Sequence, residues 1–207
     1  MNVYHAQDNF MEEIEMEEII NMSAANDPVM VTNNHIHFYG DVDRVSAQRL
    51  NSVLVELNDN LISMFSNSSY HDNQSIPIIH LHLSTDGGEI FAAFSIIETI
   101  SRLTCKVYTY VEGCVASAGS LISCCGDRRF MGRYSKMLIH QLRANHTGKY
   151  ADMQDNMENC QCLMNDIKEI YLDKTSFDED LLEELLKREK YLTSEECVNY
   201  GLIDIVT

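Results

Sequence analysis

Residues 76–112 constrain this chain more than any other stretch. They read as strand, glycine pair, helix, strand: IPIIHLHL at 76–83, Gly87-Gly88 within STDGG, an apolar-periodic run over 89–103, and CKVYTYVE at 105–112. Both outer segments are rich in β-branched and aromatic residues, which suits buried strands. The run between them places Phe94, Ile97 and Ile100 on one helical face. Two strands joined by a helix of this length pair in parallel, so an α/β fold with a buried parallel sheet is predicted. Open sheets of this kind place their sites beyond the C-terminal strand ends. Gly87-Gly88 stands at such an end. It is either strand punctuation or a turn that lets the backbone aim an N–H at a ligand.

The second strand runs into the next candidate, residues 110–130 (YVEGCVASAGSLISCCGDRRF). Gly113 permits a sharp turn, and residues 118–125 are small and apolar, fit for a short buried helix. Ala116, Ala118 and Gly119 leave little bulk around the Ser117 hydroxyl. A strand–turn–helix corner can hold a serine beside backbone N–H groups that lack intrahelical partners and can receive an oxyanion. The same pattern also fits Ser117 as the N-cap of a tightly packed turn.

Composition narrows the classes. With 207 residues, 45% of them hydrophobic, the chain can bury one sizeable core, and a single domain is expected over 29–207. The first 28 residues carry seven acids and neither Lys nor Arg, and read as an acidic, mobile segment. A formal charge of −17 argues against nucleic acid or an anionic membrane as partner. No run of 18 uncharged apolar residues and no basic-then-apolar leader is present, so a cytoplasmic protein is expected. The seven cysteines contain no CxxC pair, and Cys160 and Cys162 cannot share a helical face. They read as reduced core residues, and no metal site is expected.

The remaining elements follow from periodicity and turn chemistry. Residues 29–32 and 35–39 flank Asn33-Asn34 as a hairpin. A helix opens near Ser46, its expected cap, and runs through Leu50, Leu54, Leu57, Leu61 and Phe65 to a polar loop over 66–75. Residues 128–131 and 136–140 read as short extended pieces, the second ending at His140, a residue type that such a position most often holds as a hydrogen-bonded, half-buried group. A long helix is expected over 150–173, with Met153, Met157, Cys160, Met164, Ile167 and Tyr171 on one face. Ser176 with Glu179 and Thr193 with Glu196 fit capping boxes, and 202–206 closes as a strand.

Taken together these segments resemble the proteolytic subunit of the Clp protease, the ClpP family. STDGG-EIFAAFSIIETI is similar to its strand–Gly-Gly–helix element, GCVASAG to its nucleophile turn, MLIHQ to its histidine strand and YLTSEECVNYGLIDIV to its C-terminal signature. Gly88 lies 29 residues before Ser117, and His140 lies 23 after it, which fits the family spacing. The resemblance covers about residues 35–206.

It implies a crotonase-like superhelix of β-α units with a protruding handle helix. It also implies a serine endopeptidase that acts on peptides and unfolded proteins through an acyl-enzyme and needs no cofactor. Two stacked heptameric rings would enclose a chamber fed by a hexameric ATP-driven AAA+ unfoldase. Carried over residue by residue, Ser117 is the nucleophile, His140 its base and Glu189 the acid, where the family usually has Asp. The N–H groups of Gly88 and Ala118 would form the oxyanion hole. The family's Ser-Pro before the glycine pair is Thr85-Asp86 here, its Gln-Pro after the histidine is Gln141-Leu142, and His80 and His82 stand where it has aromatic unfoldase-docking residues. Two other readings are an inert ring or scaffold subunit, which would need neither Ser117 nor His140, and a crotonase-type acyl-CoA enzyme. The last lacks an evident carboxylate pair near Gly88 or Gly113 and has no use for His140 and Glu189.

Overall fold

The computed structural model describes residues 27–67 and 76–207. Residues 1–26 of the expected acidic segment and 68–75 of the expected polar loop lie outside them. Strands β1 (Val29–Thr32) and β2 (His35–Tyr39) form the expected antiparallel hairpin, turning through Asn33 at φ 57°. From β2 onward the strands among the described residues pair in parallel: β3 (Ile78–Thr85), β4 (Lys106–Ala116), β5 (Arg128–Met131) and β7 (Ile205–Val206) follow in order, and β6 (Lys136–Leu138) pairs with the end of β4. This is the mostly parallel α/β sheet that the crossover predicted, in keeping with a crotonase-like fold.

Alternation along the central strands divides the sheet into two faces. Ile36, Phe38, Ile79, Leu81, Leu83, Val107 and Val111 point into the core and are fully buried. The intervening His35, His37, His80, His82, Tyr108, Tyr110 and Glu112 form a half-buried polar and aromatic face. Helices α1 (Arg44–Asn67), α2 (Ile90–Arg102) and α3 (Ala118–Cys124) contribute to the same core as the inward strand residues. The α2 face differs from expectation. Ala92, Ala93, Ile96 and Ile100 are buried, whereas Phe94 and Ile97 are only partly so. Small residues let the helix approach its neighbours closely, and the bulky ones are left at the rim.

Two caps also differ. Asp43, not Ser46, starts α1: the Ser46 N–H donates to Asp43 Oδ1 at 2.8 Å, and the Asp43 N–H donates back to Ser46 Oγ at 2.9 Å. Asp178, not Ser176, caps α5 (Glu179–Leu186), accepting from the Leu181 N–H at 2.8 Å. The Thr193–Glu196 capping box of α6 (Ser194–Asn199) forms as predicted. Its hydrogen bonds from the Thr193 backbone, and then Lys190, hold the Glu196 carboxyl down at about 2.

Helix α4 (Tyr150–Lys174) buries only Ile167 and Tyr171, near its C-terminal end. Met153 and Met157 are 53% and 70% exposed, so the first half of this helix, about 37 Å long in all, projects from the body. No helix among the described residues is long and apolar enough to cross a membrane. The seven cysteines are free, and burial pushes the Cys197 thiol up to about 12, which keeps it protonated and inert.

Candidate active site

β4 is the strand that builds the site, because it changes partner half-way. Its first half pairs with β5 (Tyr108 to Val111) and its last residues pair with β6 (Cys114 to Ala116). The register against β3 slips between Leu83, opposite Val111, and Thr85, opposite Val115, so β4 bulges around Gly113. Gly113 sits at φ 65°, a conformation glycine adopts without penalty.

The residue just after the strand is Ser117, which has φ 53° and ψ −125°. A non-glycine residue held there costs about 1–3 kcal/mol and persists only where its surroundings enforce it. Here they do. The Ser117 N–H donates to the Leu138 carbonyl at 2.8 Å, and the Ser117 carbonyl accepts from the Ser120 N–H at 3.0 Å and from Ser120 Oγ at 2.6 Å. Ser120 Oγ is in turn 2.7 Å from the buried Tyr171 hydroxyl, which anchors the turn to α4. Although Ser117 occupies the N-cap position of α3, its side chain makes no capping hydrogen bond. A strained strand-to-helix corner of this kind exposes the nucleophilic hydroxyl of α/β-hydrolases.

The glycine pair packs against the corner. A Cβ on Gly87 (φ 96°) would lie 2.6 Å from Ser117 Cβ, and one on Gly88 (φ 148°) would lie 2.2 Å from the Val42 carbonyl oxygen. The Val42 N–H donates to the Gly87 carbonyl at 2.8 Å, and the Glu89 N–H donates to Val42 O at 2.7 Å. The segment before α1 thus staples this turn from both sides. It leaves the Gly88 N–H bonded to no backbone carbonyl among the described residues. Ala118 opens α3, so its N–H has no intrahelical acceptor either.

β6 brings in the histidine. Pairing of Ala116 with Leu138 sets His140 just past the strand end, and Ser117, His140, Gly88 and Ala118 all line one cavity of about 340 Å³. Leu121, Ile167 and Tyr171 give it an apolar wall, and Asp86, Glu89 and Arg143 are charged residues around it. A larger cavity of about 780 Å³ lies between α2 and α4, bounded by Phe94, Ile97, Ile170 and Leu172. Its one thiol, Cys125, is pushed up to about 11 by burial, which keeps it protonated.

Glu189 is near but not engaged. The Met137–Leu192 bridge and the Gln141 N–H to Leu186 carbonyl bond (2.7 Å) hold the 186–192 segment alongside the histidine strand. Glu189 Oε1 stands 3.9 Å from His140 Nδ1, beyond hydrogen-bond reach, while Arg143 Nη2 donates to it at 2.6 Å. That bond, and secondarily the charges of His140 and Arg143, hold the Glu189 carboxyl below its ordinary range. His140 Nδ1 is buried with no hydrogen-bond partner. Buried polar atoms without a partner are exceptional in folded proteins. The sequence reading missed Arg143 and the Ser120–Tyr171 pair. Arg143 follows His140 by only three residues in a polar loop, a signal that was available. The Ser120–Tyr171 contact joins residues 51 apart and carried none.

Comparison with known proteins agrees with this architecture. The family profile described as Clp protease matches residues 23–207. The ATP-dependent Clp protease proteolytic subunit 1 of Chlamydia abortus is 29% identical over 136 residues, which cover 64% of this chain and 70% of that protein. The proteins of the same name from Chlamydia caviae and Chlamydia pneumoniae are each 30% identical over 132 residues, covering 62% of this chain and 69% of theirs. With a match that takes in the sheet, the Ser117 corner and the C-terminal helices, the chain belongs to the Clp protease family.

Proposed function

We propose that this chain is a serine endopeptidase subunit of a self-compartmentalising Clp-type protease. The observation that carries the reading is the strained, positive-φ Ser117 corner sharing one cavity with His140. In this mechanism Ser117 Oγ attacks the scissile carbonyl carbon while His140 Nε2 accepts its proton. The Gly88 and Ala118 N–H groups stabilise the oxyanion, and two such donors are worth several powers of ten in rate. Collapse expels the amine, which takes the proton from His140. Water, deprotonated by the same imidazole, then hydrolyses the acyl-enzyme.

Glu189 is the acid that orients His140 when its carboxylate moves from Arg143 to Nδ1. Substrates are peptides and unfolded proteins. The working form is an oligomer of two stacked heptameric rings in the cytoplasm, supplied by an AAA+ unfoldase, and the exposed Met153 and Met157 of α4 suit contact with a second ring. One observation favours an inert ring subunit instead: Glu189 is held by Arg143, and His140 Nδ1 is unpartnered. A fluorophosphonate probe separates the two. The peptidase is labelled at Ser117, with labelling and peptide hydrolysis lost in Ser117→Ala by roughly 10⁴–10⁶ while assembly is unchanged. Hydrolysis that survives at a tenth of wild type in Ser117→Ala would refute the assignment.

A further inference from the structure

The half-buried face of the sheet carries a second cluster of chemically competent side chains, and none of its members lines the Ser117 cavity. Its origin lies in the sequence. His-Ile-His at 35–37 and His-Leu-His at 80–82 each put two imidazoles on one side of a strand, because side chains alternate with period two. Parallel register then sets His35 opposite His80 and His37 opposite His82, with both ring pairs stacked at 4.4 Å. β4 adds Tyr110 opposite His82 and, two residues on, Glu112. The expectation of no metal site rested on the cysteines and overlooked this pairing of two His-x-His segments.

We propose that His37, His82 and Glu112 form a binding site for one divalent transition-metal ion of the zinc class, with water in the fourth position. One nitrogen from each histidine and one carboxylate oxygen of Glu112 all lie within 4.8 Å of one another. Zinc holds nitrogen at about 2.0–2.1 Å in a tetrahedron, so its donors sit roughly 3.4 Å apart. The His37 nitrogen therefore needs to draw in by no more than about 1.4 Å, within reach of side-chain rotation in this half-exposed residue, while His82 Nδ1 and Glu112 Oε1, now 2.7 Å apart, open by roughly 0.7 Å to admit the ion. Two imidazoles and a carboxylate are a borderline donor set that suits zinc and its neighbours, whereas magnesium and calcium take oxygen ligands.

Groups that would orient the ligands are also in place. His82 presents Nδ1 to Glu112 Oε1 at 2.7 Å, and its Nε2 is fixed by His35 Nδ1 at 2.9 Å. The other Glu112 oxygen accepts from the Tyr39 hydroxyl, which lies 3.3 Å from His37 Nδ1. Metal-binding histidines are held in this way by a partner on the second nitrogen, and ligating carboxylates by a hydrogen bond. A formal charge of −17 adds a general attraction for cations.

The full-length chain, stripped with chelator and desalted, is titrated with zinc chloride and cobalt chloride by calorimetry, with magnesium chloride as control. The visible spectrum of the cobalt form reports the coordination number. The expected result is one zinc or cobalt ion per chain, a four-coordinate cobalt spectrum and no magnesium binding. Because His140, His146 and the thiols also attract zinc, the background is set by a His37→Asn/His82→Asn variant, which loses the one-equivalent step. Glu112→Gln keeps the side-chain shape and weakens binding at least about tenfold. It decides the matter alone if the double variant does not fold. Equal stoichiometry and affinity in wild type and Glu112→Gln, or equal binding of magnesium, would overturn the proposal. The readout is binding, so it stands apart from whether Ser117 is a nucleophile.

Discussion

Replacing Arg143 with glutamine removes the guanidinium that holds Glu189 off His140. The carboxylate oxygen lies 3.9 Å from His140 Nδ1 and 2.6 Å from Arg143. A hydrogen bond to imidazole needs about 2.7–3.2 Å, so Glu189 has to travel roughly 1 Å. What resists that movement is an ion pair whose side chains are 73% and 55% exposed. Pairs this wet bias an equilibrium by less than about fivefold. If Glu189 serves as the third catalytic member, Arg143→Gln raises kcat/KM for a small fluorogenic peptide by up to about fivefold, and no further. Glu189→Gln alone lowers kcat by as much as about 10⁴, the scale at which a triad histidine left in the wrong tautomer fails. The double variant should match Glu189→Gln, because Arg143 then has no carboxylate to withhold. Initial rates for the four proteins, with fluorophosphonate labelling run in parallel, complete the cycle. A tenfold or greater loss in Arg143→Gln at unchanged KM would show that Arg143 holds the acid in place rather than away. An equal effect in both backgrounds would show that it acts through another group.

Tyr171→Phe deletes the buried hydroxyl 2.7 Å from Ser120 Oγ but leaves Ser120 donating to the Ser117 carbonyl. Urea unfolding should register a loss of about 1 kcal/mol, with probe labelling of Ser117 retained. Gly88→Ala drives a methyl to 2.2 Å from the Val42 carbonyl oxygen at φ 148°; it should cost about 3 kcal/mol and abolish labelling, and a variant with wild-type melting would refute the stapled turn. Glu196 titrates at about 2 in the fold against 4.5 for an ordinary glutamate, so the stability it lends α6 is complete above about 4.5 and is lost as pH falls toward 2. Hydrogen exchange in α6, corrected for intrinsic rates, should accelerate over that window in wild type and lose this dependence in Glu196→Gln.

The β3–α2–β4 crossover was legible because each segment carries one dominant signal: unbroken apolar strands, a glycine pair, and a 3.6-residue period. The caps were less so. Asp43 and Ser46 are bonded reciprocally, and each satisfies the rule for starting a helix, so only the backbone path separates them. Ser176 lost to Asp178 for a similar reason, two eligible oxygens standing two residues apart. On α2, bulk was read as burial, yet Ala92 and Ala93 face inward because close packing rewards small side chains. The roles of Ser117, His140, Gly88 and Ala118 follow from the resemblance to the Clp protease family, and all four residues line one cavity. What spacing could not convey is rotational state: nothing in the run 187–190 (KREK) tells whether Glu189 turns toward Arg143 or His140. The histidine face was missed because 35–37 and 80–82 become neighbours only through strand register.

The bulge at Gly113 sets a phase relation along β4. Glu112 belongs to the histidine face and Ser117 to the cavity, and only five positions separate them on a strand that trades β5 for β6 in between. Each residue of a strand is rotated half a turn from the last, so both ends are timed from the same clock. One residue inserted or deleted over 113–116 would leave the sequence almost unaltered, yet it would set Glu112 and Ser117 out of step. Either the serine would turn into the core or the carboxylate would leave the imidazoles. Point substitutions can disturb these two places separately, but a change in length here cannot.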